Sequence, residues 1–286
     1  MFTSPNYRCR MTGETHALFA SADAARWIAV PSDIDDKYSR GVVGFVTGSA
    51  LYPGAAVLGV EAAAHTGVGM IRYLGAGRPT RLVLQRRPEA VSVDGRVQAW
   101  VLGSGQDPAK LDDATRELLD SALAQKVPTV LDGGALSRRA DAAGPVLLTP
   151  HARELSRLIE WDLAEILADP ESAARSAAAE FDATVLLKGH TTHVASPDGT
   201  LLRVRSAPTW LATAGAGDAL AGILGALLAT HHEELAADSG VLAQLAATGA
   251  VLHGLAAEVA SAGGPLTILD LTAALPGVVV GLLSAR

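Results

Sequence analysis

The sequence has little cysteine and few aromatic residues. Cys9 is the only cysteine among 286 residues, which excludes an intrachain disulfide and any metal site built from several cysteines. This usage is typical of a reducing compartment. Hydrophobic residues make up 49% of the chain but aromatic residues only 4%, so we expect a core built mainly from Ala, Val and Leu. That much apolar material excludes a disordered chain.

Clustered positive charge, an export signal and long uncharged hydrophobic runs are also missing. The net charge of −7 argues against a nucleic-acid surface, which needs clustered Lys and Arg. No basic segment followed by an apolar run opens the chain, so we expect no signal peptide. The apolar run Ala219–Thr230 is shorter than the ~20 residues of a membrane span. We therefore expect a cytoplasmic protein that binds neither nucleic acid nor membrane.

Segments typical of buried strands alternate with segments typical of helices, which predicts an α/β fold with right-handed crossovers and a parallel sheet. Predicted strands are Gly41–Thr47, Met70–Leu74, Ala99–Leu102, Val127–Leu131, Val146–Leu148 and Thr184–Leu187. Predicted helices are Ala17–Val30, an Ala-rich helix from Pro53, Pro108–Lys126, His151–Ile159, Asp162–Glu180 with a break at Asp169-Pro170, one beginning near Asp218, Glu233–Glu258, and Leu269–Leu283 with an interruption at Pro276-Gly277.

The turn signal Pro197-Asp198-Gly199 predicts a β-hairpin between Thr192–Ala195 and Leu201–Val204. Residues 1–15 show no periodicity, and we expect a mobile leader there. No Pro/Ser-rich linker or charge block interrupts the remainder, so residues 16–286 are expected to form one domain.

Polar residues follow several predicted strands. Asp132, His151 and Glu154 each come shortly after a strand end, where open α/β sheets bind their ligands. Lys188 and Gly189 follow the next strand, with two threonine hydroxyls nearby, and could hold phosphates, although Lys-Gly pairs also occur by chance.

The stretch around Asp218 has the composition of an anion-binding helix start. Gly215 and Gly217 flank Ala216, and small residues let the backbone turn tightly and approach a ligand. The first N–H groups of the following helix would attract an anion. Asp218 is then either an N-cap or a base beside a bound phosphate, and spacing alone does not decide between them.

Seven segments, taken in order, resemble the ADP/ATP-dependent NAD(P)H-hydrate dehydratases of the ribokinase-like superfamily. They are Gly48–Ala56, Leu102–Gly105, Val130–Leu136, Leu148–Glu154, Leu187–Thr192, Ser196–Gly199 and Leu211–Gly222. The resemblance covers roughly Tyr38 to His253. It implies a three-layer ribokinase-like sandwich, with a mostly parallel central sheet and helices on both faces.

The resemblance also implies a repair enzyme. Its substrate would be the S epimer of hydrated NADH or NADPH (NADHX or NADPHX), which ADP or ATP would phosphorylate with Mg²⁺ before phosphate is eliminated. Converting a hydroxyl into a phosphate makes a better leaving group, and the protein mainly positions reactants and stabilises charge. The family's assembly implies a homo-oligomer, a tetramer, and a separate epimerase could act upstream.

By this resemblance, Asp218 is the catalytic base on the substrate hydroxyl. The anion hole would comprise the N–H groups of Ala214, Gly215, Ala216 and Gly217. The nucleotide would be bound by Lys188, Gly189, His190, Thr191, Thr192 and Gly217. The dinucleotide substrate would contact Ala55, Ala56, Gly105 and His151 in addition to Asp218. Glu154 would hold Mg²⁺ through water. Without the resemblance, the small residues Gly54, Ala55 and Ala56 favour close helix–sheet packing over contact with a ligand.

Two departures from the family pattern keep other functions open. Ala216 replaces a residue whose hydroxyl could bond a phosphate, and Arg153 could clash with phosphate or bind it. The alternatives are a ribokinase-like kinase for thiazole or pyridoxal alcohols, and a nucleotide-binding module without catalysis.

Overall fold

The computed structural model describes residues 18–286, whose centre is one eight-stranded sheet. The predicted leader at residues 1–15 lies outside the described residues. The strands are β1 (Val42–Val46), β2 (Met70–Tyr73), β3 (Ala99–Leu102), β4 (Thr129–Leu131), β5 (Val146–Leu148), β6 (Thr184–Leu187), β7 (Thr192–Ala195) and β8 (Leu201–Val204). Their spatial order is β2-β1-β3-β4-β5-β6-β7-β8.

Every neighbouring pair from β2 to β6 is parallel, and β7 and β8 add an antiparallel hairpin at one edge. The α-helices are α1 (Ser21–Ala25), α2 (Pro53–Thr66), α3 (Gly77–Arg86), α4 (Asp113–Leu123), α5 (Ala152–Ile159), α6 (Leu163–Ala168), α7 (Pro170–Phe181), α8 (Ala216–Thr230), α9 (His232–Ala237), α10 (Val241–Ser261) and α11 (Ile268–Ser284). Short 3₁₀ segments cover Pro108–Lys110, Gly133–Asp141 and Thr209–Leu211.

The helices form a layer on each face of the sheet, because successive side chains of a strand point to opposite faces. Phe45 and Val101 join the core beneath α1, α2, α3, α8, α9, α10 and α11. Val46 and Leu102, their neighbours in sequence, join the core beneath α4, α5, α6 and α7. The predicted α/β sandwich with a mostly parallel sheet is confirmed.

Helix α8 packs unusually close to its neighbours, which explains its glycine and alanine content. A Cβ added at Gly222 would lie 2.1 Å from the carbonyl oxygen of Gly59 in α2. A Cβ at Gly225 would lie 2.2 Å from the side chain of Val101. Only glycine allows such an approach, so α8 is fixed against both α2 and the sheet.

Some predicted helix boundaries are wrong. Ala17 lies outside the described residues, and the described remainder of the helix predicted over Ala17–Val30 shortens to α1. The one predicted over Pro108–Lys126 divides, because Asp112 caps a new start by accepting a hydrogen bond from the Thr115 N–H at 2.8 Å. The one predicted over Glu233–Glu258 divides at residues 238–240 into α9 and α10.

The predicted interruption of the last helix is also wrong, because α11 continues through Pro276. Leu275 and Val278 on either side of it are buried, and this burial offsets the cost of a helical proline. The sequence interpretation missed α3, which buries few residues.

Helix α10 is the one described helix long and apolar enough to cross a membrane, a property that the sequence interpretation overlooked. Of its most apolar 18-residue window, 83% is buried inside this fold, as in the core helix of a globular protein.

Candidate functional site

The predicted site residues gather where the parallel strands end. Strand β1 lies between β2 and β3, so the strand order reverses there, and ligands of open α/β sheets bind outside such a point. The loops after β1 and β3 are joined by a hydrogen bond from the Gly48 N–H to the Ser104 carbonyl at 2.7 Å. Asp132, His151 and Lys188 follow β4, β5 and β6 along the same edge.

The predicted substrate contacts after β1 and β3 pack tightly against each other. Gly105 has φ +66°, and a Cβ added there would lie 2.4 Å from the Cβ of Ala55. Ala55 keeps 7% of its surface exposed, whereas Ala56 is fully buried. Close helix–sheet packing therefore accounts for these small residues, and their contact with a substrate stays a prediction.

His151 and Glu154 together form the start of α5. The His151 Nδ1 accepts a hydrogen bond from the Glu154 N–H at 3.1 Å, and the His151 N–H donates to the Glu154 Oε2 at 2.8 Å. This reciprocal arrangement is a capping box. It orients both side chains towards the edge of the sheet, with the His151 side chain half exposed.

Asp132 is a buried carboxylate with three donors. Its side chain accepts hydrogen bonds from the Ser104 Oγ, the Thr149 Oγ1 and the Lys188 Nζ, each at 2.8 Å. Burial raises the pKa of Asp132, but the Lys188 ammonium and these hydrogen bonds outweigh it and leave the pKa below its ordinary value. Asp132 therefore stays ionised.

Lys188 places an ammonium group between several carboxylates. Its Nζ lies 2.8 Å from the Asp132 Oδ1 and 3.8 Å from the Glu154 Oε2. Burial lowers the pKa of Lys188, but the charges of Asp132 and Glu154 outweigh it and hold the pKa above its ordinary value. A Cβ added at Gly217 would lie 3.5 Å from the same Nζ, so the ammonium lies against residues 214–217, which we call the glycine-rich loop.

Asp218 is the third residue of α8. The N-cap is Gly215, with φ 93°, and no side-chain hydrogen bond caps this helix start, so the predicted capping role of Asp218 is wrong. Burial and the charge of Asp132 raise the pKa of Asp218 to about 6, while Lys188 acts in the opposite direction. A carboxylate with such a pKa can accept a proton near neutral pH.

A cavity of 530 Å³ opens beside α8 and the end of β6. The predicted nucleotide and anion-hole residues in its wall are Lys188, Gly189, His190, Thr192, Ala216 and Gly217. Thr191 instead lines a second cavity, of 540 Å³, which shares Lys188, Gly189 and His190 with the first. Most of the predicted nucleotide segment thus meets the start of α8 in one cavity.

His253 of α10 also lines the first cavity, and the sequence interpretation gave it no role. It is 7% exposed, and its Nε2 has no hydrogen-bond partner among the described residues. Burial lowers the pKa of His253 to about 4, against the effect of a hydrogen bond with the Ala216 backbone, so the ring is neutral at pH 7. Nothing in the Ala/Leu-rich sequence around it distinguishes this histidine from a core residue.

The hydroxyls of Ser104 and Thr149 were missed as well. Both follow strand ends, as Asp132 does, and that position is the signal that could have identified them.

The metal-binding capacity of the site is limited. The described part of the chain contains no group of three His, Cys, Asp or Glu side chains that could hold a metal ion. Glu154, partly used by the capping box, is a single carboxylate 3.8 Å from the Lys188 Nζ. This donor set fits Mg²⁺ that is bound mainly by phosphates and water, which is the usual arrangement for that ion.

Comparison with known proteins identifies relatives that match most of this chain. A family model described as NAD(P)H-hydrate dehydratase matches residues 43–273. A bifunctional NAD(P)H-hydrate repair enzyme of Mycobacterium tuberculosis is 42% identical over 219 residues, which are 72% of this chain but only 44% of that protein. An ADP-dependent (S)-NAD(P)H-hydrate dehydratase of Neisseria meningitidis is 37% identical over 242 residues, covering 78% of each chain.

Solved structures show the same fold. The ADP/ATP-dependent NAD(P)H-hydrate dehydratase of Bacillus subtilis, co-crystallised with ATP/Mg²⁺, superposes with a TM-score of 0.83 at 24% identity, covering 94% of this chain and 99% of that one. A ribokinase-like superfamily protein of Enterococcus faecalis gives 0.77 at 23% identity, covering 92% and 95%. The resemblance drawn from the seven segments is confirmed: this chain, which spans less than half of the bifunctional relative, belongs to the NAD(P)H-hydrate dehydratase family.

Proposed function

We propose that the chain dehydrates the S epimer of hydrated NADH or NADPH, at the expense of ADP or ATP, and so restores the reduced dinucleotide. The observation that carries this proposal is the position of Asp218 at the start of α8, beside a cavity of 530 Å³. Its pKa of about 6 is higher than that of an ordinary aspartate and close to neutral pH. The names of the relatives from Mycobacterium tuberculosis and Neisseria meningitidis support the substrate class.

Asp218 would act as the general base. It would accept the proton of the substrate hydroxyl while that oxygen attacks the terminal phosphoryl group of the nucleotide, which releases AMP from ADP or ADP from ATP. The phosphorylated substrate would then lose phosphate and a ring proton, forming the double bond of the dihydronicotinamide. Near pH 7 the Asp218 carboxylate is mostly ionised, but burial makes it a stronger base than an ordinary aspartate. This suits the transfer of the hydroxyl proton to Asp218.

The glycine-rich loop and Lys188 would stabilise the transferred phosphoryl group. The N–H groups of residues 214–217 would form the anion hole, and the Lys188 ammonium lies against Gly217. Backbone donors do not depend on side chains, so Ala216 should weaken the transfer rather than abolish it. Bound Mg²⁺ would neutralise phosphate charge, with Glu154 holding it through water.

The nucleotide would occupy the cavity lined by Lys188, Gly189, His190 and Thr192, with Thr191 in the same segment. The dinucleotide substrate would contact Ala55, Ala56, Gly105 and His151. Arg153 is exposed at the start of α5, which favours a phosphate contact over a clash.

The test is recovery of the reduced-nicotinamide absorbance band from hydrated NADH or NADPH, with Mg²⁺ and either ADP or ATP. We expect recovery with at least one nucleotide and none without nucleotide. Absence of recovery from the folded protein with both nucleotides would contradict the proposal. Phosphorylated thiazole or pyridoxal alcohol appearing instead would identify a kinase, and nucleotide binding without any turnover would identify a binding module.

We also infer the setting of this activity from the family. The chain would work in the cytoplasm as a homo-oligomer, a tetramer by resemblance, with residues 16–286 as one domain. By the same resemblance, a separate epimerase is proposed to supply the S epimer. Size-exclusion chromatography with light scattering tests the assembly.

A further inference from the structure

Asp132 is a buried, ionised residue that takes no direct part in the proposed reaction. It is 5% exposed and lies at the end of β4, beneath the loops that carry the site. The Ser104 hydroxyl donates to its Oδ2, and the Thr149 hydroxyl donates to its Oδ1. Ser104 follows β3 and Thr149 follows β5, the strands on either side of β4, so the carboxylate is held from both sides in one orientation.

The oriented carboxylate in turn determines where the Lys188 ammonium lies. The backbone of Lys188 is fixed by a hydrogen bond from its N–H to the Pro150 carbonyl at 2.8 Å. Its long side chain retains rotational freedom until the Nζ donates to the Asp132 Oδ1. In that position the Nζ faces Gly217, with Glu154 3.8 Å away on another side.

The same carboxylate acts on Asp218 through charge. The Asp132 charge raises the pKa of Asp218, and the Lys188 ammonium lowers it. The two charges of the pair act on Asp218 in opposite directions, and burial is the largest cause of its raised pKa. Without Asp132, the Lys188 ammonium would act on Asp218 with no opposing charge from the pair and would lower its pKa, which makes Asp218 a weaker base.

We propose that Asp132 is a positioning residue that holds the Lys188 ammonium against the glycine-rich loop and away from an ion pair with Asp218. The proposal rests on the proposed role of Asp218 as base. In this arrangement the ammonium faces the loop that would bind the transferred phosphate, while Asp218 stays free to accept a proton.

The first test is Asp132→Asn, which keeps the size of the side chain but removes its charge. We expect kcat to fall about 100-fold, the lower end of what a positioned base contributes. The acid limb of the kcat/KM profile should move to lower pH, because the pKa of Asp218 falls. Thr149→Val is the matched control: it removes one hydrogen bond to Asp132 but no charge, so the acid limb should stay in place.

A double-variant cycle tests whether Asp132 acts through Lys188. In a Lys188→Met background, Asp132→Asn should cost little further activity, because the group that it positions is already gone. The double variant also leaves neither Asp132 nor Lys188 as a buried charge without its partner, so it remains usable if Asp132→Asn alone does not fold. Additive losses, or an unmoved acid limb in Asp132→Asn, would overturn the proposal.

Two readouts need no substrate and separate this proposal from the proposed function. Titration of the ¹³C-labelled Asp218 carboxyl should give a lower pKa in Asp132→Asn than in wild type. The affinity for AMP, measured by calorimetry, should fall in Lys188→Met and in Asp132→Asn. If wild type restores no dinucleotide but both shifts occur, the positioning role stands and the proposed function fails. If neither shift occurs, the positioning role fails.

Discussion

Two clusters in this fold each combine a buried carboxylate with basic side chains. They differ in how completely their carboxylates are paired with cations. In the first, between α2 and α3, Glu61 is 1% exposed and accepts hydrogen bonds at 2.8 Å from both Arg86 and Arg87. Burial raises the pKa of Glu61, but these guanidinium groups outweigh it and hold the pKa below its ordinary value. Both carboxylate oxygens face a guanidinium, so the cluster is structural.

The second cluster, at the carboxyl edge of the sheet, places the carboxylates of Asp132, Glu154 and Asp218 around the ammonium of Lys188. Asp132 and Lys188 pair as Glu61 pairs with its arginines, but Asp218 lies near them with its pKa raised to about 6. Comparison of the clusters teaches that pairing fixes a carboxylate in its ionised form, whereas burial without a close cation makes it a base. The incompletely paired group is the reactive one.

The largest expected effect comes from removing that group. Asp218→Asn should lower kcat by about 10²- to 10⁴-fold, because a positioned base is lost. Stability should not fall: a raised pKa stabilises the fold only at low pH, and that contribution is lost as the pH rises through about 6. Steady-state kinetics and urea unfolding at pH 7.5 check both. Asp198→Asn, in the exposed hairpin turn, is the control, and normal turnover by Asp218→Asn would refute the base.

Breaking the first cluster should affect stability and leave catalysis alone. Glu61→Gln should lower the free energy of unfolding by about 3 kcal/mol, because two guanidinium groups lose their buried counter-charge. Glu89→Gln is a matched control, since Glu89 contacts Arg87 at 3.3 Å but is 60% exposed. An exposed pair contributes ~0–1 kcal/mol. Equal urea midpoints for the two variants would contradict the comparison.

The pH dependence of activity should report the incompletely paired carboxylate. Below about pH 6, kcat/KM should fall roughly tenfold per pH unit, because Asp218 becomes protonated and can no longer accept the hydroxyl proton. The profile in Glu61→Gln should keep the same acid limb. An acid limb near pH 4, the usual range of aspartate, would show that burial does not tune this residue.

The smallest effect is expected from the partners of the paired carboxylate. Ser104→Ala removes one hydrogen bond to Asp132 and should cost about 1 kcal/mol of unfolding free energy. Because Thr149 and Lys188 still hold Asp132, turnover should change only a few-fold. A loss as large as that of Asp218→Asn would place Ser104 in the chemistry itself.

The strands were predictable because runs of Val, Leu and Ile are bounded by glycine, proline and polar residues. The hairpin β7–β8 followed from Pro197-Asp198-Gly199 in the same way. Helix α3 was missed because it is polar and buries little more than Pro79 and Val83. Its position depends on contact with α2 rather than on a local periodicity.

The site was predictable to the level of which loops converge, since strand-end residues of a parallel sheet share an edge. The pairing of Ser104 with Asp132 was not, because it depends on the register of β3 against β4. The cap assigned to Asp218 was wrong because Gly215, in a left-handed conformation, begins the helix earlier. His253 gave no signal, because its importance comes only from the cavity that it lines.

The contact between Gly59 and α8 sets the spacing of the site from outside it. A Cβ added at Gly59 would lie 3.3 Å from the carbonyl oxygen of Asp218, and Gly222 touches Gly59 one turn further along. Ala55 lies one turn before Gly59 on α2, so the predicted substrate contact and the base are carried by two helices that are locked together. The distance between the predicted substrate contact and the base is therefore fixed by the packing of α2 against α8. It does not depend on the conformation of the surrounding loops.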